Sequence, residues 1–70
     1  MDKSEIKRVE AYLREKFRLS AITVTSRPNK DDSCEVNIGD EFIGVIFKDE
    51  EDGETSYAFQ MAILDIDLPE

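Results

Sequence analysis

Histidine and tryptophan do not occur in the chain, and cysteine occurs only once. Without histidine the chain has neither a Ser-His-Asp nor a Cys-His catalytic group, and it has no imidazole ligand for zinc. The single cysteine, Cys34, forms no internal disulfide, although secreted domains of this size usually depend on such cross-links. We therefore expect the protein in a reducing compartment, the cytoplasm.

Long apolar runs are also missing. No stretch approaches the roughly 18 consecutive apolar residues of a membrane span, and the polar residues 1–8 do not resemble the start of a signal peptide. We therefore expect neither a membrane protein nor a membrane partner. The 70 residues suit a single small domain, residues 1–70, with a modest core. A chain this short is not expected to enclose a multi-residue catalytic pocket.

Positive charge is scarce in the second part of the chain. Residues 1–30 hold eight Lys and Arg against four Asp and Glu, whereas residues 31–70 hold one against thirteen. The net charge of −8 repels a polyanion at long range, so we do not expect a nucleic-acid partner. Four basic residues form a stripe along the N-terminal helix that is predicted below: Lys3, Lys7, Arg14 and Arg18. We expect this basic stripe to form ion pairs with acidic residues at the edge of the sheet or to face solvent.

A helix is predicted near the N-terminus, over residues 3–18. Asp2 and Glu5 have the spacing of a capping box, in which two side chains bond reciprocally to backbone N–H groups. Apolar residues then recur at helical spacing and predict one buried stripe: Ile6, Val9, Leu13 and Phe17.

Alternating apolar residues predict strands in the following part of the chain. Residues 21–27 alternate and are rich in β-branched types, residues 28–33 contain turn formers, and residues 34–38 alternate again. Gly39-Asp40 is a two-residue hairpin signal. It joins the second predicted strand to a third.

The two-residue turn also predicts which residues face each other. A regular ladder pairs Ile38 with Glu41, Val36 with Ile43, and Cys34 with Val45. The face expected to carry the helix then receives Cys34, Val36, Ile38, Ile43, Val45 and Phe47. The opposite face, called the second face below, receives Glu35, Asn37, Phe42, Gly44 and Ile46.

The segment after the acidic turn at residues 48–54 fits a strand or a helix. Gly53 is expected to supply the positive φ of that turn. A strand aligns Tyr57, Phe59, Met61 and Ile63, whereas a helix aligns Phe59, Ala62, Ile63 and Ile66. We favour the strand. The predicted fold is α+β, with one N-terminal helix packed on a four-stranded antiparallel β-meander (α-β-β-β-β); the alternative is α-β-β-β-α with residues 57–66 helical.

One helix covers only one face of a four-stranded sheet, so the second face is the candidate interaction surface. Its expected apolar members are Phe42, Gly44, Ile46, Ala58, Ala62 and Leu64. We therefore expect a small non-enzymatic protein–protein interaction module that binds a partner protein or a second copy of itself. The alternative is an acidic regulator that occupies a basic nucleic-acid-binding site on another protein.

The acidic residues do not form a recognisable catalytic or metal-binding motif. If Gly53 were the sixth residue of a calcium loop of the EF-hand type, the first and twelfth ligands would be Lys48 and Phe59. Asp65 and Asp67 have the spacing of a carboxylate pair, which is also common wherever a strand ends in acidic residues. No glycine-rich phosphate loop is present. We predict no enzymatic activity, no metal and no cofactor.

Residues 35–68, EVNIGDEFIGVIFKDEEDGETSYAFQMAILDIDL, resemble a family of short bacterial proteins, domain-of-unknown-function family 3126. The N-terminal DKSEIKRVEAYLREKF is similar to the helix of that family, and the most specific segments are IGDEFIGV and AFQMAILDIDL. The resemblance implies a cytoplasmic, alphaproteobacterial protein. It implies no catalytic or binding residues.

Overall fold

One helix is followed by four antiparallel strands in this computed structural model, which describes residues 1–28 and 30–69, with the side chains of residues 30 and 31 left out. The elements are α1 (Lys3–Phe17), β1 (Ile22–Arg27), β2 (Lys30–Ile38), β3 (Glu41–Glu51), β4 (Glu54–Gln60) and a short 3-10 helix (Asp65–Asp67). The strands lie in the order β1-β2-β3-β4. The α+β meander is confirmed. The helical alternative for residues 57–66 is wrong, since β4 occupies the first four of these residues.

The start of α1 has the predicted capping box. The Asp2 carboxylate accepts a hydrogen bond from the Glu5 N–H at 2.7 Å, and the Glu5 carboxylate accepts one from the Asp2 N–H at 3.3 Å. Two of the N–H groups that a helix leaves unpaired are thereby satisfied. Arg18, with a φ of 52°, ends the helix in the left-handed region and donates its N–H to the last turn.

The core lies between α1 and the first three strands. Its buried apolar side chains are Leu13, Ile22, Val24, Cys34, Val36 and Ile46, and those packed around them are Met1, Ile6, Val9, Ile38, Ile43 and Phe59. The burial of Cys34 agrees with its predicted position on the helix side of the sheet. Phe17 departs from the predicted buried stripe of α1, because it is 54% exposed at the end of the helix.

A bulge in β3 changes the predicted faces of the sheet. Ile38 lies opposite Glu41 as predicted, but Val36 lies opposite Gly44 and Cys34 opposite Ile46, because Ile43 is an extra residue in β3. The prediction of a regular ladder was therefore wrong beyond the turn. One added residue exchanges the two faces of a strand. Gly44 and Ile46 consequently face α1, and Val45 and Phe47 occupy the second face.

Gly44 allows β4 to approach β3 closely. A Cβ atom at Gly44 would collide with the carbonyl oxygen of Gln60 and would lie 2.6 Å from Cε1 of Phe59. Pairing between β3 and β4 ends at this point, with Val45 opposite Gln60. Met61 and Ile63 therefore do not continue the strand as predicted. They belong to an exposed segment that precedes the short 3-10 helix.

The two other turns differ in how closely they follow the prediction. Asp52 and Gly53 both have positive φ, 53° and 79°, as a tight hairpin between β3 and β4 requires. The expected role of Gly53 is thus confirmed. The predicted loop at 28–33 is shorter than expected, because β2 already begins at Lys30 and the register shifts between Ser26 and Arg27. Residue 29 lies outside the described residues.

The outer edge of β1 is bonded to side chains of α1. The Val24 N–H donates to the Glu10 carboxylate at 2.9 Å, and Nε of Arg14 donates to the Ile22 carbonyl at 2.7 Å. Glu10 and Arg14 are also paired with each other at 3.5 Å. These bonds occupy backbone groups that an edge strand otherwise leaves open to another strand.

The burial of Cys34 predicts slow reaction with a disulfide reagent such as dithionitrobenzoate. Burial raises the pKa of the thiol and excludes the reagent. The native thiol should react only as fast as the fold opens, and the guanidinium-unfolded chain should react at once. Ser20→Cys, at an exposed position, supplies a fast-reacting thiol in the same molecule. Equal rates for both thiols would contradict the buried position.

The contact at Gly44 predicts that Gly44→Ala destabilises the fold. The added methyl group must displace backbone, at a cost on the order of 1–3 kcal/mol in the free energy of unfolding. Gly39→Ala is the control, because its Cβ meets nothing within 4 Å and only its φ of 59° opposes alanine, at roughly 1–2 kcal/mol. Urea unfolding measures both variants. A Gly44→Ala protein as stable as the wild type would refute the close approach.

Candidate interaction site

The six residues predicted for the interaction surface do not share one face. Phe42 is 56% exposed and Leu64 57% exposed, and Ala58 and Ala62 are exposed as well. Ile46 is buried in the core at 2% exposure, and Gly44 is buried against β4. The position predicted for Gly44 and Ile46 was wrong because of the bulge in β3.

Four of these residues border an open groove of about 810 Å³ between β3 and the segment after β4, called the tail groove here: Phe42, Gly44, Ala62 and Leu64. Phe47, 37% exposed, and Met61, 53% exposed, lie along the same groove. The groove exists because β4 stops opposite Val45, which leaves the first residues of β3 without a strand on that side. Its lining is mainly apolar.

A second open groove, of about 670 Å³, lies between α1 and β4 and is called the helix groove here. The helix starts near β4 and crosses the sheet towards β1, since Glu5 bonds to Tyr57 and Arg14 bonds to Ile22. It therefore leaves part of β4 uncovered. Apolar rings and basic groups line this groove: Tyr12, Phe17, Tyr57, Phe59, Arg8 and Lys16. Sequence reasoning missed it, although Tyr12 lies at the border of the apolar stripe.

Glu5 connects α1 to the last two strands. Its carboxylate is 2.6 Å from the Lys48 ammonium group and accepts a hydrogen bond from the Tyr57 hydroxyl at 2.7 Å. The hydrogen bond from Lys48 has the largest effect, followed by those from Tyr57 and the Asp2 N–H, and together they lower the pKa of Glu5 from 4.5 to about 2. The same bonds raise the pKa values of Lys48 and Tyr57. A carboxylate that is so firmly ionised is a weak base, so Glu5 positions the helix rather than transferring protons.

The ion pair between Glu5 and Lys48 joins α1 to the sheet. Glu5 is one of the four acidic residues in the basic part of the chain, residues 1–30, and Lys48 is the one basic residue in the acidic part, residues 31–70. Lys48 also lies 3.5 Å from Glu50. In the part of the chain that the structure describes, Lys3, Lys7 and Arg18 are exposed and form no salt bridge, so this part of the basic stripe faces solvent.

The acidic run 49–54 extends along the ends of β3 and β4 and through the turn between them. Successive strand residues point to opposite faces, so these carboxylates diverge. Asp65 and Asp67 lie in the 3-10 helix rather than in a strand. Among the side chains that the structure describes, which exclude those of residues 29–31 and 70, no three carboxylates or thiols are grouped so as to hold a metal ion.

The lowered pKa of Glu5 predicts an acid-sensitive contribution to stability. A carboxylate whose pKa is lower in the folded state stabilises the fold above pH 4.5, and this contribution is lost as the pH falls towards 2. The difference in unfolding free energy between wild type and Glu5→Gln should therefore shrink from pH 5 to pH 2. Urea titrations measure it. Glu15→Gln, on an exposed part of the same helix, is the charge-matched control; a constant difference for Glu5→Gln would contradict the assignment.

No helix among residues 1–28 and 30–69 combines the length and the apolar character needed to cross a membrane. Neither a curated protein nor a solved structure matches the chain significantly. A family model described as "Protein of unknown function (DUF3126)" matches residues 5–67. This match runs from the residue that attaches α1 to the sheet, through all four strands, to the end of the 3-10 helix. The chain therefore belongs to the DUF3126 family of proteins of unknown function.

Proposed function

We propose that the protein is a small non-enzymatic module that binds another protein chain through the tail groove. The observation that supports this most strongly is the exposure of large apolar side chains around one groove, Phe42 at 56% and Leu64 at 57%. Exposed apolar patches of this kind usually mark an interaction surface in a folded domain. The groove replaces the flat second face that the sequence predicted.

The chemistry of the remaining side chains supports a binding role over catalysis. The Cys34 thiol is buried and has a raised pKa, which disfavours the reactive thiolate. Glu5 is held as a carboxylate by Lys48 and Tyr57. A lone, buried, unpaired thiol also supports our proposal that the protein works in the cytoplasm, where thiols stay reduced.

The acidic hairpin tip supports a second candidate function, the occupation of a basic site on a nucleic-acid-binding protein. Residues 49–54 are exposed, and the neighbouring base Lys48 is already engaged by Glu5 and Glu50. The tip therefore presents more negative charge than its one neighbouring base compensates. Binding of this type weakens steeply as salt is added, whereas binding through an apolar groove does not.

Photo-crosslinking in cells tests the proposal. Benzoylphenylalanine in place of Phe42, inside the tail groove, should give one discrete crosslinked product, and Leu64→Glu should abolish it. Position 66 is the control, because Ile66 is 87% exposed and lies outside the groove.

Three results of that experiment would contradict binding through the tail groove. They are no product from position 42, equal products from positions 42 and 66, and a product whose yield falls steeply when irradiation is repeated in a lysate of raised ionic strength, which favours the acidic tip. Circular dichroism of each variant shows whether it has folded. A product with the mass of two chains identifies the partner as a second copy.

A further inference from the structure

The two edges of the sheet are treated differently by the rest of the chain. Glu10 and Arg14 bond to the backbone of β1 along its outer edge. Among the described residues, β4 pairs with β3 alone, and no hydrogen bond reaches its outer edge. The N–H and C=O groups on that edge of Glu54–Gln60 are therefore available to another strand.

The composition of β4 does not prevent such pairing. Its sequence, ETSYAFQ, has one charge, at Glu54, and contains no lysine, proline or glycine. Natural edge strands are usually protected by charged side chains, prolines, bulges or a covering element. In the described structure residues 55–60 of β4 have none of these protections, although strongly acidic segments, residues 49–54 and 65–67, precede and follow them along the chain. An edge whose last six residues carry no charge, in so acidic a chain, suits a contact surface.

We infer that β4 pairs antiparallel with β4 of a second copy, about a twofold axis at Tyr57, to form one continuous eight-stranded sheet. This inference goes beyond the proposed function, because it places a contact at the outer edge of β4 and names the partner there as the same chain. A two-fold axis lets the same strand supply both sides of the pairing, so the hydrogen-bonding groups match without a second sequence. Adding a strand to an open edge is a common mode of recognition.

The charges within the two paired strands are compatible with this arrangement. The twofold places Glu54 of one copy opposite Gln60 of the other, so the two Glu54 residues lie about 20 Å apart. That distance exceeds the roughly 8 Å over which charges interact at physiological ionic strength. β4 runs from Tyr57 to Gln60 towards the same end of the sheet as α1 runs from Glu5 to Arg14. The acidic tip of each copy is thus brought to the end of the sheet that carries Lys16 of the other, where Asp65 and Asp67 of the segment after β4 also lie.

The pairing also accounts for the apolar side chains on either side of β4. Tyr57 is 39% exposed and, with Phe59, points into the helix groove, while Ala58 is exposed on the second face. A second β4 would bring the same three side chains alongside them on both faces. Burial of apolar surface on both sides of a paired edge is what stabilises an added strand.

Sedimentation equilibrium of the full chain and of two charge variants tests the inference. In the inferred register, position 56 of one copy faces position 58 of the other, and both positions are exposed. Ser56→Lys with Ala58→Lys puts like charges opposite each other and should raise the dimer dissociation constant at least about tenfold. Ser56→Glu with Ala58→Lys puts opposite charges there and should retain the dimer.

The controls separate pairing from general charge effects and from unfolding. The double-lysine variant is less acidic than the wild type, so mutual repulsion of the chains cannot explain its dissociation. Thr25→Lys, exposed on the same face of the opposite edge strand β1, should leave the dimer intact. Circular dichroism should show folded chains throughout, because the substituted positions are exposed.

Two results would overturn the inference. One is a wild-type chain that does not associate with itself from micromolar to submillimolar concentration, even if it binds a different protein. The other is a dimer that the double-lysine variant leaves unchanged. After either result, the crosslink at position 42 would still test the proposed function, because that crosslink does not require a dimer. Conversely, a dimer with the inferred register but no crosslink at position 42 would refute binding through the tail groove and would leave the pairing of β4 standing.

Discussion

The bulge at Ile43 is the constraint on which the rest of the sheet depends. It turns Gly44 and Ile46 towards the helix, so that Ile46 completes the core and Gly44 lets β4 approach closely. Beyond this point the ladder between β3 and β4 ends, with Val45 opposite Gln60. The chain then leaves the sheet, and the tail groove opens where the strand would have continued. A single inserted residue thus determines the core, the length of β4 and the exposed apolar surface.

The diagonal course of α1 produces a second asymmetry. Its first turn is attached to β3 and β4 through Glu5, and later turns are attached to the edge of β1 through Glu10 and Arg14. The helix therefore covers β1 well and β4 only at one end. Among the described residues, one sheet edge has its backbone bonded to side chains of α1, while the other edge is open and lies between the tail groove and the helix groove. This unequal coverage directs association to the β4 side of the molecule.

The local signals in the sequence were sufficient for α1, the first three strands and their order, whereas they left residues 57–66 open between a strand and a helix. The capping box at Asp2, the hairpin at Gly39-Asp40 and the turn at Gly53 depend on neighbouring residues, and the structure has all three. The bulge depends on contacts between strands, and the alternation of residues around Ile43 does not reveal it. The one local signal of the bulge is Gly44, since an isolated glycine in a strand often marks a bulge or the close approach of another part of the backbone. The pairing of Glu5 with Lys48 likewise follows from where the helix crosses the sheet.

Amide hydrogen exchange at increasing protein concentration tests most directly the claim that β4 is the open, associating edge. If the edge pairs with a second copy, exchange in residues 56–59 should slow as concentration rises, while exchange in residues 23–25 of β1 stays constant. Concentration-independent exchange in both strands would contradict the claim, and so would slowing confined to β1.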